Sequence, residues 1–280
     1  MKKSESTTFR SIIYIVSTFF VQGATVIFAP VYTRILAPGE TGYYSVYLSI
    51  VNIISIICGL QTQGSLLVKK NELSEVEYEE YCVSILALST VGYFVSVLVV
   101  LLTDNFWVDM LAIRNAYVII MVSHAFGMYC VNFLYAYFIA DQKVVTHLCV
   151  SVLLTVGTFL LSVLFTTFCA SNHKYFGMYL GNAIPNIIAG IIIWMYFVIF
   201  MRRSITVKYW KFCIDYSFPL IFHNLAALLL VQADRIMIKD MESAGAAGIY
   251  SMCYNMALPT SALWSAMNNA WKTDYFRKQY

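Results

Sequence analysis

The sequence predicts an all-α fold, a polytopic membrane helix bundle with eight transmembrane helices, and three observations carry that prediction. Of 280 residues, 60% are hydrophobic and only 12% are charged, against roughly 45–50% and about 25% in soluble domains. A soluble chain of this size must still cover its outside with polar groups and cannot absorb that excess. The charges gather in short clusters between long charge-free stretches, several exceeding the roughly 20 residues a membrane-crossing helix needs. The connections between these stretches are short, as a compact bundle requires.

The charge-free stretches define the elements in order. The first, Ser11–Thr33, follows Lys2, Lys3 and Arg10. It is too long for the apolar region of a signal peptide and no small-x-small cleavage site closes it, so it reads as a retained helix. Ala37-Pro38-Gly39-Glu40 turns the chain into the second stretch, Thr41–Val68. The acidic run Glu72–Glu80 reads as a solvated loop face, and within it Ser74 and Glu77 form a capping-box pattern that starts the third helix before its apolar core, Tyr81–Thr103. Asn105-Phe106-Trp107 has the composition of an interfacial belt. The fourth, fifth and sixth stretches are Asn115–Ala140, Val144–His173 and Tyr175–Met201. The Met201–Ile214 connection is the longest and most basic, and its Tyr209-Trp210 pair reads as a second belt. The seventh stretch, Tyr216–Ala233, is the shortest, and the eighth is Ser243–Trp271. Pro185 and Pro219 are expected to kink or punctuate their helices. The seven cysteines lie inside or at the edges of these stretches with no CxxC pair, which reads as small apolar packing residues.

Alternating loops place thirteen basic residues on one side: Lys2, Lys3, Arg10, Lys69, Lys70, Lys143, Arg202, Arg203, Lys208, Lys211, Lys272, Arg277 and Lys278. Five fall on the other: Arg34, Arg114, Lys174, Arg235 and Lys239. The positive-inside rule then puts the N-terminus in the cytoplasm. The weak net charge of +3 gives no reason to expect nucleic acid as a partner.

An internal echo divides the chain. Thr33-Arg34-Ile35-Leu36 followed by Gly42-Tyr43-Tyr44-Ser45 returns as Asp234-Arg235-Ile236-Met237 followed by Gly248-Ile249-Tyr250-Ser251. Six stretches separate the copies, an even number, so both hairpins have the same orientation: a parallel repeat about an axis along the membrane normal. The expected organisation is a six-helix lobe over residues 1–203, a cytoplasmic linker over 204–214, and the first hairpin of a second lobe over 215–280.

The stretch Pro30–Leu36 with Gly39–Tyr44 resembles the first hairpin of the polysaccharide (O-antigen) repeat-unit flippases. These belong to the multidrug/oligosaccharidyl-lipid/polysaccharide exporter superfamily. Phe218–Ile221, Asp234–Ile238 and Ala247–Ser251 resemble that family's seventh and eighth helices. The resemblance implies two six-helix lobes around a central cavity, working by alternating access. It also implies an undecaprenyl-diphosphate-linked oligosaccharide as substrate, flipped from the cytoplasmic to the outer leaflet of the inner membrane. Membrane lipid is an implied partner, with a glycan polymerase or other assembly proteins beside it. Family members carry twelve or more helices, so a chain stopping at Tyr280 is expected to be a truncated form.

Candidate cavity residues come from polar stripes and from charges near helix ends. Thr18, Gln22, Thr25, Ala29 and Thr33 share one face of the first helix. Ser45, Asn52, Ser55, Gly59 and Thr62 do so in the second, and Ser251, Asn255, Ala262, Ser265 and Asn269 in the eighth. Small and weakly polar residues are also what lets membrane helices pack, and for Asn52 and Asn255 the two readings balance. Arg34 and Arg235 stand on the outer side against the charge bias. Either meets a diphosphate or acidic sugar, whose geometry a guanidinium matches, or it snorkels to the interface or pairs with an acid. Asp234 is a candidate for cation or proton coupling, against the alternative of pairing within the protein. It lies nearly on one face with His223. His124, His147 and His223 lie in separate stretches with no carboxylate at metal-ligand spacing, so they read as packed or hydrogen-bonded.

No Gly-rich phosphate loop, HExxH, GxSxG or Asp-x-Asp element occurs, and the outer loops are too short for a glycan polymerase. The expectation is a transporter, not an enzyme, without metal or cofactor. The alternatives are a multidrug exporter or peptidoglycan-precursor flippase of the same superfamily, or a non-transporting fragment.

Overall fold

The computed structural model describes residues 26–103, 115–169 and 174–257, together with residues 20, 23, 24, 107 and 260. Its main helices are α1 Val26–Ile35, α2 Pro38–Gly59, α3 Glu75–Leu102, α4 Asn115–Ala140, α5 Val144–Phe168, α6 Lys174–Met195, α7 Lys208–Met241 and α8 over residues 244–257. Helices α2 to α7 are long and apolar enough to cross a membrane, and α1 is a shorter apolar helix. No strand occurs among the described residues. The fold is the polytopic α-helical bundle that the charge pattern predicts.

Local chemistry sets several boundaries. Pro38 opens α2, where its missing N–H costs nothing. The Glu40 carboxylate accepts the Ala37 N–H at 3.0 Å and the Lys174 N–H at 3.1 Å, tying the first turn to the start of α6. At α3 the expected capping box is present: the Glu77 carboxylate accepts the Ser74 N–H at 3.0 Å, and Ser74 Oγ accepts the Glu77 N–H. The last turn of α6 widens into a π turn, Tyr196–Phe200.

Two helix boundaries differ from the charge-free stretches. The second stretch does not run to Val68. Helix α2 ends at Gly59, and Leu60 and Gln61 both take left-handed φ near 50° before a 3-10 turn, Thr62–Ser65, and a short helix, Leu66–Lys70. The ring of Tyr129 fills the space a side chain at position 59 would need. Its hydroxyl meets Thr62 Oγ1 and accepts from Ser89 Oγ at 2.6 Å, while Tyr81 donates to Ser65 Oγ at 2.6 Å. Of the backbone groups that the break leaves open, the Gly59 carbonyl accepts from Ser89 Oγ at 3.2 Å and the Gln61 carbonyl from Ser217 Oγ at 3.4 Å. The seventh stretch, the shortest by charge, becomes the longest helix at 34 residues, with Lys211, Asp215, Asp234 and Arg235 inside it. Of the Met201–Ile214 connection, the residues from Lys208 onward are helical. The helical assignment likewise runs through Pro185 and Pro219.

The core has two centres. Tyr47, Val51, Ile54 and Cys58 of α2 pack with Met121, Val122, Ala125 and Tyr179. Tyr81, Ile85 and Leu86 of α3 pack with Tyr129, Phe133, Phe197 and Cys213. Cys58, Cys82, Cys130 and Cys213 are buried as expected, whereas Cys149 and Cys253 are exposed. Hydrophobic side chains such as Leu153, Phe168, Phe222 and Leu230 cover the outside, which suits a hydrocarbon surround.

Ion pairs collect at one end of the bundle. Lys70 Nζ lies 2.7 Å from Asp141 and 2.8 Å from Glu75, Arg203 pairs with Glu79 at 2.7 Å, and Lys69 pairs with Glu72 at 2.6 Å. The acidic run is therefore more than a solvated face, because three of its carboxylates pair with bases, Lys69 and Lys70 of the short helix before it and Arg203 of the connection before α7. In the opposite group of loops hydrogen bonds take this role: the Lys174 backbone N–H donates to Glu40 and its ammonium to the Ile35 carbonyl at 3.2 Å. Trp210 donates its Nε1–H to the Ser84 carbonyl at 2.9 Å, so it packs on α3 instead of serving only as a belt.

The two echoed hairpins touch. A Cβ on Gly42 would collide with the carbonyl of Ala244, and one on Gly248 with the carbonyl of Pro38. Two helix starts therefore meet backbone to backbone, as small residues permit.

Candidate functional site

A cavity of about 280 Å³ lies where these hairpins face α5 and α6. Phe28, Ala29 and Tyr32 of α1 line it, with Thr41, Tyr44, Ser45, Leu48 and Asn52 of α2. Thr155, Thr158 and Phe159 of α5 and Met178 and Asn182 of α6 form the wall opposite. Arg235 of α7 and Ser251, Met252 and Asn255 of α8 complete it. Other clefts, on α3–α4–α6 and between α2 and α3, are lined mainly by apolar side chains and lack a charged group.

The helical period brings these residues together. On α2, positions 41, 45, 48 and 52 recur at steps of three and four and so share one face, and positions 251, 252 and 255 do the same on α8. Most hydroxyls on these faces bond back to their own helix, as Ser45 does to the Gly42 carbonyl and Ser251 to that of Ala247. Asn52 donates to the Leu48 carbonyl at 2.9 Å and Asn182 to Tyr44 Oη at 2.9 Å. Phe28 and Phe159 stack with centroids 3.7 Å apart, and Tyr32 meets Phe159 edge-on. Aromatic faces beside amides and hydroxyls can receive the apolar face and the hydroxyls of a polar solute such as a sugar ring.

Arg235 is the one charged residue in this lining. It is 7% exposed. Its Nη1 donates to Gln232 Oε1 at 2.7 Å and its Nη2 to Asn255 Oδ1 at 3.3 Å, and the guanidinium stands 5.1 Å from the Tyr254 ring centroid. Its Nε has no hydrogen-bond partner, and no carboxylate forms an ion pair with it among the described residues. A desolvated guanidinium whose hydrogen bonds go to neutral amide oxygens favours an anion that can reach it.

Three of the six candidate residues thus meet at one cavity: Asn52, Arg235 and Asn255. The other three do not line it. Arg34 is exposed at the end of α1. His223 is exposed on α7. Asp234 is exposed and accepts the Tyr250 hydroxyl at 2.7 Å, so it pairs within the protein. His124 is buried behind the wall, 3.1 Å from Tyr47 Oη, and His147 packs on Tyr135. Of the polar stripes, Thr18, Gln22, Thr25, Ala262, Ser265 and Asn269 lie outside the described residues. The α5–α6 wall and Gln232 had no place among the candidates. A lone amide three residues before a membrane arginine was the signal for Gln232.

Six helices long and apolar enough to cross a membrane, beside a cavity with one buried arginine, define a multi-pass membrane protein. Residues 10–271 match the sequence model of the family described as polysaccharide biosynthesis protein. The chain belongs to that family, which comprises the O-antigen repeat-unit flippases and related exporters; its members are transporters rather than enzymes. No curated protein and no solved structure matches the chain.

Proposed function

We propose that this chain flips undecaprenyl-diphosphate-linked oligosaccharide repeat units from the cytoplasmic to the outer leaflet of the inner membrane, by alternating access. The observation that carries the reading is the buried Arg235, without a carboxylate partner among the described residues, in a cavity whose other lining combines aromatic rings, amides and hydroxyls with the aliphatic Ala29, Leu48, Met178 and Met252. A diphosphate supplies the anion and the glycan supplies hydroxyls and ring faces. The thirteen-to-five bias of basic residues supports a cytoplasmic N-terminus. The echoed hairpins support a division into residues 1–203, a linker over 204–214, and 215–280. Glycan polymerases or assembly proteins would take up the delivered repeat unit.

The test is glycan export in cells that depend on this chain. Arg235→Ala is expected to reduce export at unchanged membrane level, and Arg235→Lys to restore it only in part, because a point charge loses the bidentate match to phosphate. Normal export by Arg235→Ala would overturn the assignment of the cavity.

A further inference from the structure

The neighbour that holds Arg235 also holds α2. Gln232 is 8% exposed and Ser49 is fully buried. Gln232 Oε1 accepts twice, from Arg235 Nη1 at 2.7 Å and from Ser49 Oγ at 2.8 Å. One neutral oxygen therefore ties the cavity's cation to the second helix. Ser49 Oγ also lies 2.9 Å from the Ser45 carbonyl of its own helix, so its proton has a second acceptor in place. Losing Gln232 leaves that hydroxyl satisfied.

We infer that Gln232 is an internal competitor for Arg235, tying α2 to α7 until an oxyanion takes its place on the guanidinium. This rests on the proposed reading of the cavity as an oxyanion site and adds the response to occupancy. An anionic oxygen is a stronger acceptor for a guanidinium than a neutral amide oxygen. When it claims Nη1, the Gln232 side chain loses the charge-assisted bond that fixes it within reach of Ser49. Ser49 then turns to Ser45, and the polar tie between α2 and α7 lapses. Binding is thereby converted into freedom of the two helices that border the cavity. A ligand shifts such an equilibrium only through its different affinity for the tied and untied forms, and the exchanged hydrogen bond supplies that difference.

The experiment uses the full chain in lipid nanodiscs, with inorganic pyrophosphate as the probe. Its readouts are affinity by calorimetry and backbone hydrogen exchange of α2 and α7. In the unmodified chain, pyrophosphate is expected to raise exchange in both helices. Gln232→Leu is expected to bind pyrophosphate about tenfold tighter, because the competitor is gone, and to show raised exchange without it. Ser49→Ala, which removes only the α2 arm, is expected to raise exchange and tighten binding by about threefold. It decides the matter alone if Gln232→Leu does not fold. Equal or weaker binding by these variants, or exchange indifferent to pyrophosphate, overturns the competitor role. Arg235→Gln separates the two levels. If it binds pyrophosphate as well as the unmodified chain, the oxyanion site fails and the competitor fails with it. If it loses binding while Gln232→Leu and Ser49→Ala bind like the unmodified chain, only the competitor fails.

Discussion

Gly42 and Gly248 each press against the residue that opens the other's helix. Gly42 meets the carbonyl of Ala244, four residues before Gly248, and Gly248 meets the carbonyl of Pro38, four residues before Gly42. Such a reciprocal contact is what a two-fold relation between like elements produces. Gly42→Leu and Gly248→Leu are each expected to destabilise the protein by about 1–3 kcal/mol through overpacking, read as a lower melting temperature in detergent. Gly157, with open space around it, is the control: Gly157→Ala is expected to be neutral or to stabilise by up to about 1 kcal/mol.

The break after α2 packs on a buried phenol. Tyr129 Oη joins Thr62 to Ser89 in a buried site. Tyr129→Phe keeps the ring against Gly59 and removes both of its hydroxyl bonds, leaving the direct Thr62–Ser89 bond at 3.0 Å. The expected loss is about 1–3 kcal/mol in denaturation experiments. No loss would mean that ring packing and the Thr62–Ser89 and Tyr81–Ser65 bonds hold the break without it.

Sidedness can be read directly. With native thiols removed, single cysteines at Glu40 and Ser204 are expected to react oppositely with an impermeant reagent on intact cells, Glu40→Cys labelling and Ser204→Cys remaining protected. Labelling at Ser204→Cys would reverse the orientation.

The Lys70–Asp141–Lys143 cluster sets a pH dependence. Partial burial works against the Asp141 carboxylate, but the two ammonium groups outweigh it and hold its pKa below the usual range. Its contribution is therefore complete above the unfolded-state value near 4 and is lost as pH falls through the lower folded value. Burial also opposes the Lys70 charge, yet Asp141 and Glu75 raise its pKa, so its share persists until strongly alkaline pH. Asp141→Asn is expected to reduce the acid-side loss by the share of Asp141, about 1 kcal/mol or less for partly exposed pairs, while Glu77, also held below the usual range by Ser74, keeps its own. Melting temperature followed from pH 7 down to 3 measures it.

The two echoed arginines are expected to differ. Arg34→Ala should leave export closer to normal than Arg235→Ala, because Arg34 is exposed and outside the cavity lining. Equal losses would return Arg34 to the substrate path.

Charge-free runs located the helices because hydrocarbon excludes unpaired charge, and the Ser74–Glu77 cap was legible because both its partners are local. The break at Leu60–Gln61 left no mark in charge, since Tyr129 and Tyr81, which hold it, are distant in sequence. The seventh helix was cut short at Asp234 for the opposite reason. Arg235 stays inside the bundle on the strength of Gln232, Asn255 and Tyr254, partners that only folding assembles. Asn52 and Asn255 stood out as amides on polar stripes, whereas Thr155 and Thr158 were lost in the apolar sequence of α5.

Helix α7 has 34 residues. At helical rise it is about 50 Å long, against a hydrocarbon layer of about 30 Å. One end of this rod adjoins the tight glycine contact, and the other carries Lys208 and Trp210. That makes it a lever with its fulcrum near Met241. A tilt of about 10° there moves Arg235, about 9 Å from the fulcrum, by about 1.6 Å and Lys208 by about 9 Å, so a rearrangement around Arg235 reaches the far membrane surface enlarged about fivefold.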